Sequence, residues 1–212
     1  MNKPYIGIKR VLYGDALISF SNGEKAFTAA MLAAMIATVG SANAKLKDIQ
    51  NLHQDTWGYE ESDPTVTEYI NQLTGQPYYR DKEQAGTPTV NFTLGQYDLE
   101  TKADLQGGEV VDGVWHRKDM LKLISKMIVA QTKTGNWIVI PNANIVGKGN
   151  FVDKNIGLGV SAVPLETGVD GLSAEMWFSE EAVTNALAPE PKVSEAKASE
   201  AKADDTEDEL NY

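Results

Sequence analysis

Residues 84–113, QAGTPTVNFTLGQYDLETKADLQGGEVVDG, constrain the fold more than any other stretch, because the backbone period changes twice within them. Val90, Phe92 and Leu94 alternate with Thr89, Asn91 and Thr93, which is the period-two pattern of a half-buried strand. Asp98 is placed to cap a short helix over residues 99–105, and Gly107 with Gly108 ends it, so that Glu109, Val110 and Val111 begin another strand. Strand, short helix and paired-glycine turn make a frame, and no catalytic apparatus accompanies them.

The same strand rhythm continues on both sides. Trp57 and Tyr59 alternate with Thr56 and Gly58, and Val66 and Ile70 with Thr65, Thr67 and Tyr69. Pro64, Thr74-Gly75-Gln76-Pro77 and Gly86-Thr87-Pro88 punctuate these runs. Residues 126–132 and 137–140 are expected to pair across Lys133-Thr134-Gly135-Asn136, following a short helical option at 118–124, and 156–163 and 173–178 supply the last strands. In 156–162 one face carries Ile156, Leu158, Val160 and Ala162 while the other carries Gly157, Gly159 and Ser161. So bare a face implies close approach of another backbone or a helix, from within the chain or from a neighbouring subunit.

The first forty residues read differently. ALISF and EKAFT flank Ser21-Asn22-Gly23-Glu24, and Asn-Gly between apolar runs predicts strand, turn, strand; Ser21 and Glu24 also fit a capping box, which would start a helix at about residue 22. Beyond Thr28 the pattern is helical, with Phe27, Met31, Met35, Leu32, Ile36 and Val39 on one face and Gly40 at its end. This predominantly apolar run, 26–39, is shorter than the roughly 20 residues that cross a bilayer, so a buried helix is expected and no membrane partner.

Composition excludes several functions. Without cysteine there is neither a disulfide framework nor a thiolate metal site. His53 and His116 lack the spacing of a metal motif, no phosphate loop or GxSxG element is present, and Glu60-Glu61 with Asp63 has no EF-hand spacing. We expect no enzyme, no cofactor and no metal. The net charge of −11 is local: residues 188–212 carry eight acids against three lysines, and residues 55–100 carry nine acids against Arg80 and Lys82. Acid of this density opposes tight nucleic-acid binding, which relies on Lys and Arg at phosphates. The aromatics Trp57, Tyr59, Tyr69, Tyr78 and Tyr79 gather in the same region, and Tyr and Trp are favoured at interfaces. After about Ala188 the twice-repeated SEAKA pentapeptide and scarcity of apolar residues predict a disordered acidic tail, giving a domain over 1–187 and a tail over 188–212.

The order of elements in 84–113, together with GNWIVIPNANIVG (135–147) and DKNIGLGVSAVPLE (153–166), resembles the tail tube, or major tail, proteins of long-tailed bacteriophages over residues 57–178. The resemblance implies a mainly β fold, an antiparallel sandwich or rolled barrel with one or two flanking helices and a long stacking hairpin within 55–86. It implies subunits that close into rings, commonly of six, and stack into a hollow tube in the virion tail, assembled in the bacterial host cytoplasm. Its partners would be further copies of itself, a tape-measure protein and tail-terminator or baseplate proteins, with DNA passing through unbound. On this reading Trp57, Tyr59, Tyr69, Tyr78 and Tyr79 are candidates for the contact between rings, and a subset of Glu60, Glu61, Asp63 and Glu68 for the lumen. Adjacent strand residues point to opposite faces, so at most one of Glu60 and Glu61 lines it. The inner tube of a contractile injection apparatus shares this architecture. A carbohydrate-binding β-sandwich using Trp115, Trp137 or Trp177 as a stacking platform is the alternative of a different class.

Overall fold

A computed structural model describes residues 3–20, 24–118 and 121–187, and within them the protein is mainly β. Its main sheet is antiparallel and contains β1 (Ile8–Asp15), β2 (Leu46–Asp48), β3 (Asn51–Leu52), β4 (Gly58–Glu61), β7 (Pro88–Gln96), β10 (Ile124–Thr132), β11 (Trp137–Val152), β12 (Asn155–Pro164) and β13 (Met176–Phe178). Two hairpins stand outside it, β5 (Thr65–Ile70) with β6 (Pro77–Gln84) and β8 (Glu109–Val111) with β9 (Val114–His116). The described residues hold three helices, α1 (Ala29–Ala37), α2 (Leu99–Gln106) and α3 (Glu180–Leu187), where the family resemblance implies one or two.

The sheet runs β2-β1-β10-β11-β12-β7-β3, and β11 is its spine. The N-terminal part of β11 pairs with β10 and β13, and its C-terminal part pairs with β12. A bulge opposite Lys126 and Ile128 reverses which side chains face inward, so Ile138 and Ile140 share a core with Ala143 and Ile145. The two edge strands of the path, β2 and β3, belong to one short segment. Ile49 between them donates to the Val11 carbonyl, and His53 just after them donates to that of Thr93, which ties the two ends of the sheet together. The sheet therefore rolls around a single inner core, in which Val11 and Tyr13 of β1, Ile128 of β10, Leu158 and Val160 of β12, and Val90, Phe92 and Leu94 of β7 are all buried.

A second core lies on the outer side of β1, β10 and β11. Leu12, Met127, Val129, Trp137 and Val139 point there and are covered by Leu32 and Ala33 of α1 and Val183 of α3. Among the described residues, the outer side of the opposite half of the roll has no such cover.

The stretch 84–113 folds as its pattern predicts. β7 buries Val90, Phe92 and Leu94, and the Asp98 carboxylate accepts the Thr101 amide at 2.6 Å to start α2. That amide, and then the Thr101 hydroxyl, hold the Asp98 carboxyl below the usual carboxylate range. Gly107 closes the helix at φ 88°, and at Gly108 a β-carbon would sit 2.4 Å from the His116 carbonyl. The Leu105 carbonyl rests against Gly147 of β11, where a β-carbon would come within 2.3 Å of it, so glycine is what lets α2 reach the sheet. Polar groups fasten the same helix: the buried Tyr13 hydroxyl donates to Asp104 at 3.2 Å, and Lys47 donates to Asp104 at 2.6 Å. Burial, ahead of the Asp104 charge, pushes the Tyr13 phenol up to about 12.

Four expectations are corrected. ALISF and EKAFT form no strands: residues 16–20 and 24–28 are irregular, and Leu17, Phe20 and Phe27 pack into the second core beneath α1 instead of pairing. The Ser21-Asn22-Gly23 turn lies outside the described residues, and the helix starts at Ala29 under a Thr28 cap, not near residue 22. The helical option at 118–124 is absent from its described positions, since Ile124 already begins β10 in register with β11. The strand expected over 173–178 shortens to β13. The expected tail, 188–212, lies outside the described residues.

Candidate assembly surface

The hairpin β5–β6 falls within the predicted stacking segment, and its strands pair only with each other. All eight residues of β6 are exposed. Two opposite faces and a tip are therefore presented outward. One face joins Tyr69 to Tyr79, ring centroids 5.6 Å apart, and continues through Thr67, whose hydroxyl donates to Glu83 at 2.5 Å. The other carries Val66 and the Glu68–Arg80 ion pair. A bulge between Tyr69 and Ile70 leaves Tyr78 with no residue opposite it, and its side chain is 70% exposed.

The tip is ordered by its own hydrogen bonds. Asn71 accepts the Thr74 and Gly75 amides on its carbonyl and the Leu73 amide on its side chain, and it donates to Gln76; Gly75 supplies the positive φ. Leu73 is consequently 95% exposed on a fixed turn, next to Ile70 and Pro77. Between Tyr69 and Tyr79 there is no charged residue. Composition singles out the tyrosines, whereas the exposure of Leu73 and Ile70 follows from the Asn71-Gln72-Leu73-Thr74-Gly75 turn.

The five aromatic candidates separate. Tyr69, Tyr78 and Tyr79 lie on the hairpin. Trp57 is packed against the inner core, stacked on Phe92 at 5.8 Å, and so serves the protomer's own packing. Tyr59 lies at the rim, edge-on to Trp177 at 5.6 Å, with its hydroxyl donating to Glu175 at 3.1 Å. Burial first, and then the Glu175 carboxylate, push the Tyr59 phenol up to about 12.

The acidic candidates separate as well. Glu60 pairs with Thr89 and faces outward from the uncovered half of the roll, whereas Glu61, paired with Pro88, faces the other way. Asp63 lies in the link to the hairpin, and Glu68 is on the hairpin with Arg80. Four carboxylates that are close in sequence are thus spread over both faces of β4, the link and the hairpin.

The uncovered face is built by register. Asn91, Ser161 and Val146 share one row across β7, β12 and β11, and Thr93, Gly159 and Lys148 share the next. Hydroxyls, amides and glycines dominate it, with Glu60 and Lys148 as its acid and base. No helix or strand among the described residues packs over it. The bare positions Gly157 and Gly159 have a local cause, because Thr93 and Asn150 lean over them and bond to each other at 3.3 Å. The close approach expected there is made by neighbouring strands.

The tryptophans of the carbohydrate reading are mostly occupied. Trp137 is buried, and Trp115 is covered by the Lys102 ammonium at 4.1 Å while donating to Gly107 at 2.9 Å. Trp177 keeps 44% exposure but is flanked edge-on by Tyr5 and Tyr59. His53 lies 3.7 Å from Asp153, and His116 pairs with Glu109 across β8–β9. No protein-family model matches the chain, and no curated protein matches it in sequence.

Proposed function

We propose that the protein is a structural subunit that polymerises into stacked rings, forming the hollow tail tube of a long-tailed bacteriophage, and that it catalyses no reaction. The observation carrying this reading is the projecting hairpin. An isolated two-stranded hairpin is marginal in water, and this one exposes Ile70, Leu73, Tyr78 and Tyr79 without cover from the other described residues. Apolar side chains on an ordered projection are suited to burial against another subunit. The uncovered sheet face suits the lumen: small hydroxyl and amide side chains offer DNA no stacking platform, and Glu60 and Lys148 balance each other, so the face lacks the excess of cations that holds phosphate. Genome passage is then passive. Ring closure, the tape-measure and tail-terminator or baseplate partners, and assembly in the host cytoplasm follow from the same reading, which extends to the inner tube of a contractile apparatus.

Electron microscopy of the purified protein, combined with size-exclusion chromatography across concentrations, tests it. Rings or tubes are the expected result. A monomer at every concentration that binds glycans through Trp177 would overturn it in favour of the carbohydrate-binding module.

A further inference from the structure

We infer that the seam where the sheet rolls onto itself is a receptor for an acidic, extended segment, and that its occupant is the chain's own stretch 204–212, DDTEDELNY. The inference goes beyond the assembly reading and does not depend on it.

The seam is an unpaired strand edge. β2 pairs with β1 over Leu12–Gly14, and the Ile49 amide donates to Val11, but over Ile8–Arg10 β1 pairs with β10 alone. β3, across the gap, pairs with β7 alone. Among the described residues no backbone hydrogen bond joins 7–10 to 50–57. Between these edges lies a cavity of about 500 Å³, lined by Ile8, Lys9 and Arg10 on one side and by Leu52, Gln54 and Trp57 on the other. A free edge beside such a gap is a template for another extended chain.

The lining selects the charge of that chain. Lys9, Arg10 and Lys133 stand against Asp55 alone, in a protein of net charge −11. Arg10 is paired with Asp48, and the lining's His53 faces Asp153. Lys9 and Lys133 are exposed and have no ion-pair partner among the described residues. An acidic segment would neutralise both.

Residues 204–212 have the matching pattern. They hold five acids and no base, and in an extended chain Leu210 and Tyr212 fall on one face while Asp205, Glu207 and Glu209 fall on the other. The first face suits Ile8, Leu52 and Trp57, and the second suits the lysines at the rim. The reach is sufficient. α3 begins on the turn that carries Lys133, where the Glu180 amide donates to Asn136. From its end, residues 188–203 span roughly 50 Å when extended, against a radius of gyration of roughly 16 Å for a domain of this size. Tethering raises the effective concentration of the segment, so a weak contact is enough to fill the seam.

The protein has no cysteine, which permits a direct test. Gln54→Cys, at an exposed position of the lining, is combined in the full chain with Asn211→Cys, and oxidation at high dilution is followed on non-reducing gels. Ala34→Cys with Asn211→Cys is the comparison, because Ala34 is exposed on α1, against which α3 packs, and an undirected segment would meet it at least as readily. The seam pair should close within one chain at least about tenfold faster than the comparison pair. Equal rates would overturn the proposal, and dimers in place of a closed monomer would overturn the intramolecular occupant in favour of a partner chain. Asp205→Lys, Glu207→Lys and Glu209→Lys together leave the described fold untouched and should remove the advantage of the seam pair. Adding Lys9→Glu and Lys133→Glu, both at exposed positions, should restore it. An advantage that survives the first set, or is not restored by the second, would overturn the seam as the receptor.

Discussion

The Leu73 amide donates to the Asn71 side chain at 2.9 Å, and this one bond couples the order of the hairpin tip to its exposure. A residue that water would otherwise disfavour is held outward by a polar neighbour two positions away. The cost of ordering the tip is met before any partner arrives, which favours association.

Replacing Tyr78→Ser and Tyr79→Ser together should leave a folded monomer and abolish tubes. Both residues are exposed, and the cross-strand loss from the Tyr69–Tyr79 pair is worth no more than about 1 kcal/mol. Urea denaturation and sedimentation velocity check the two halves of the statement; unfolding of the double variant would place the tyrosines in the protomer's stability.

Trp57→Ala should behave in the opposite way. Its ring is stacked on Phe92 against the inner core, so truncation should destabilise the monomer by about 3 kcal/mol. Thermal unfolding of the dilute protein reads this directly, with no assembly required.

Gly147→Ala should be more damaging than a glycine-to-alanine exchange on open surface. The added carbon would meet backbone of α2, whose Leu105 carbonyl cannot swing aside as a side chain would. A loss of about 2 kcal/mol or more is expected. Gly149→Ala, where nothing lies within 4 Å, is the control.

Tyr13→Phe keeps the ring and removes the hydroxyl that meets Asp104 and Thr101, at a cost of about 1 kcal/mol near neutral pH. In the native protein the raised phenol pKa favours the protonated folded state. That preference is intact below the ordinary tyrosine value of about 10 and is lost as pH climbs through the folded value of about 12. Alkaline denaturation curves should lose this component in the phenylalanine variant.

Asp98→Ala should cost about 1 kcal/mol by removing the cap of α2. The depressed carboxyl pKa makes the native contribution full above the ordinary value of about 3.9 and lost as pH falls through the lower folded value. Asp98→Asn should retain most of the cap and flatten this acid dependence, as acid titrations followed by circular dichroism would record.

These residues also mark what the sequence could express. Val90, Phe92 and Leu94 announce β7, and Asp98 with Gly107 announces α2, because each signal is local and agrees with the tertiary packing. The flanks of Asn22-Gly23 mislead because apolar runs around an Asn-Gly pair, with residues such as Leu17 and Phe20, can pack beside a helix without forming strands. Trp57 and Tyr79 are alike by composition, and only the register of β4 on β7 and the isolation of β5–β6 separate core from surface. Glu68 likewise reads as free acid until the pairing of Tyr69 with Tyr79 sets Arg80 opposite it.

The 16-residue span of β11 has a mechanical consequence. Its first residues anchor the layer under α1 and α3, and its last residues anchor the face that continues through β12 and β7 toward the hairpin. A pull on the hairpin is thus relayed through laterally bonded strands to a single unbroken backbone, with no sliding joint between two separate sheets. The folded chain should stretch as one body, and in the proposed tube force would be yielded first at contacts between copies.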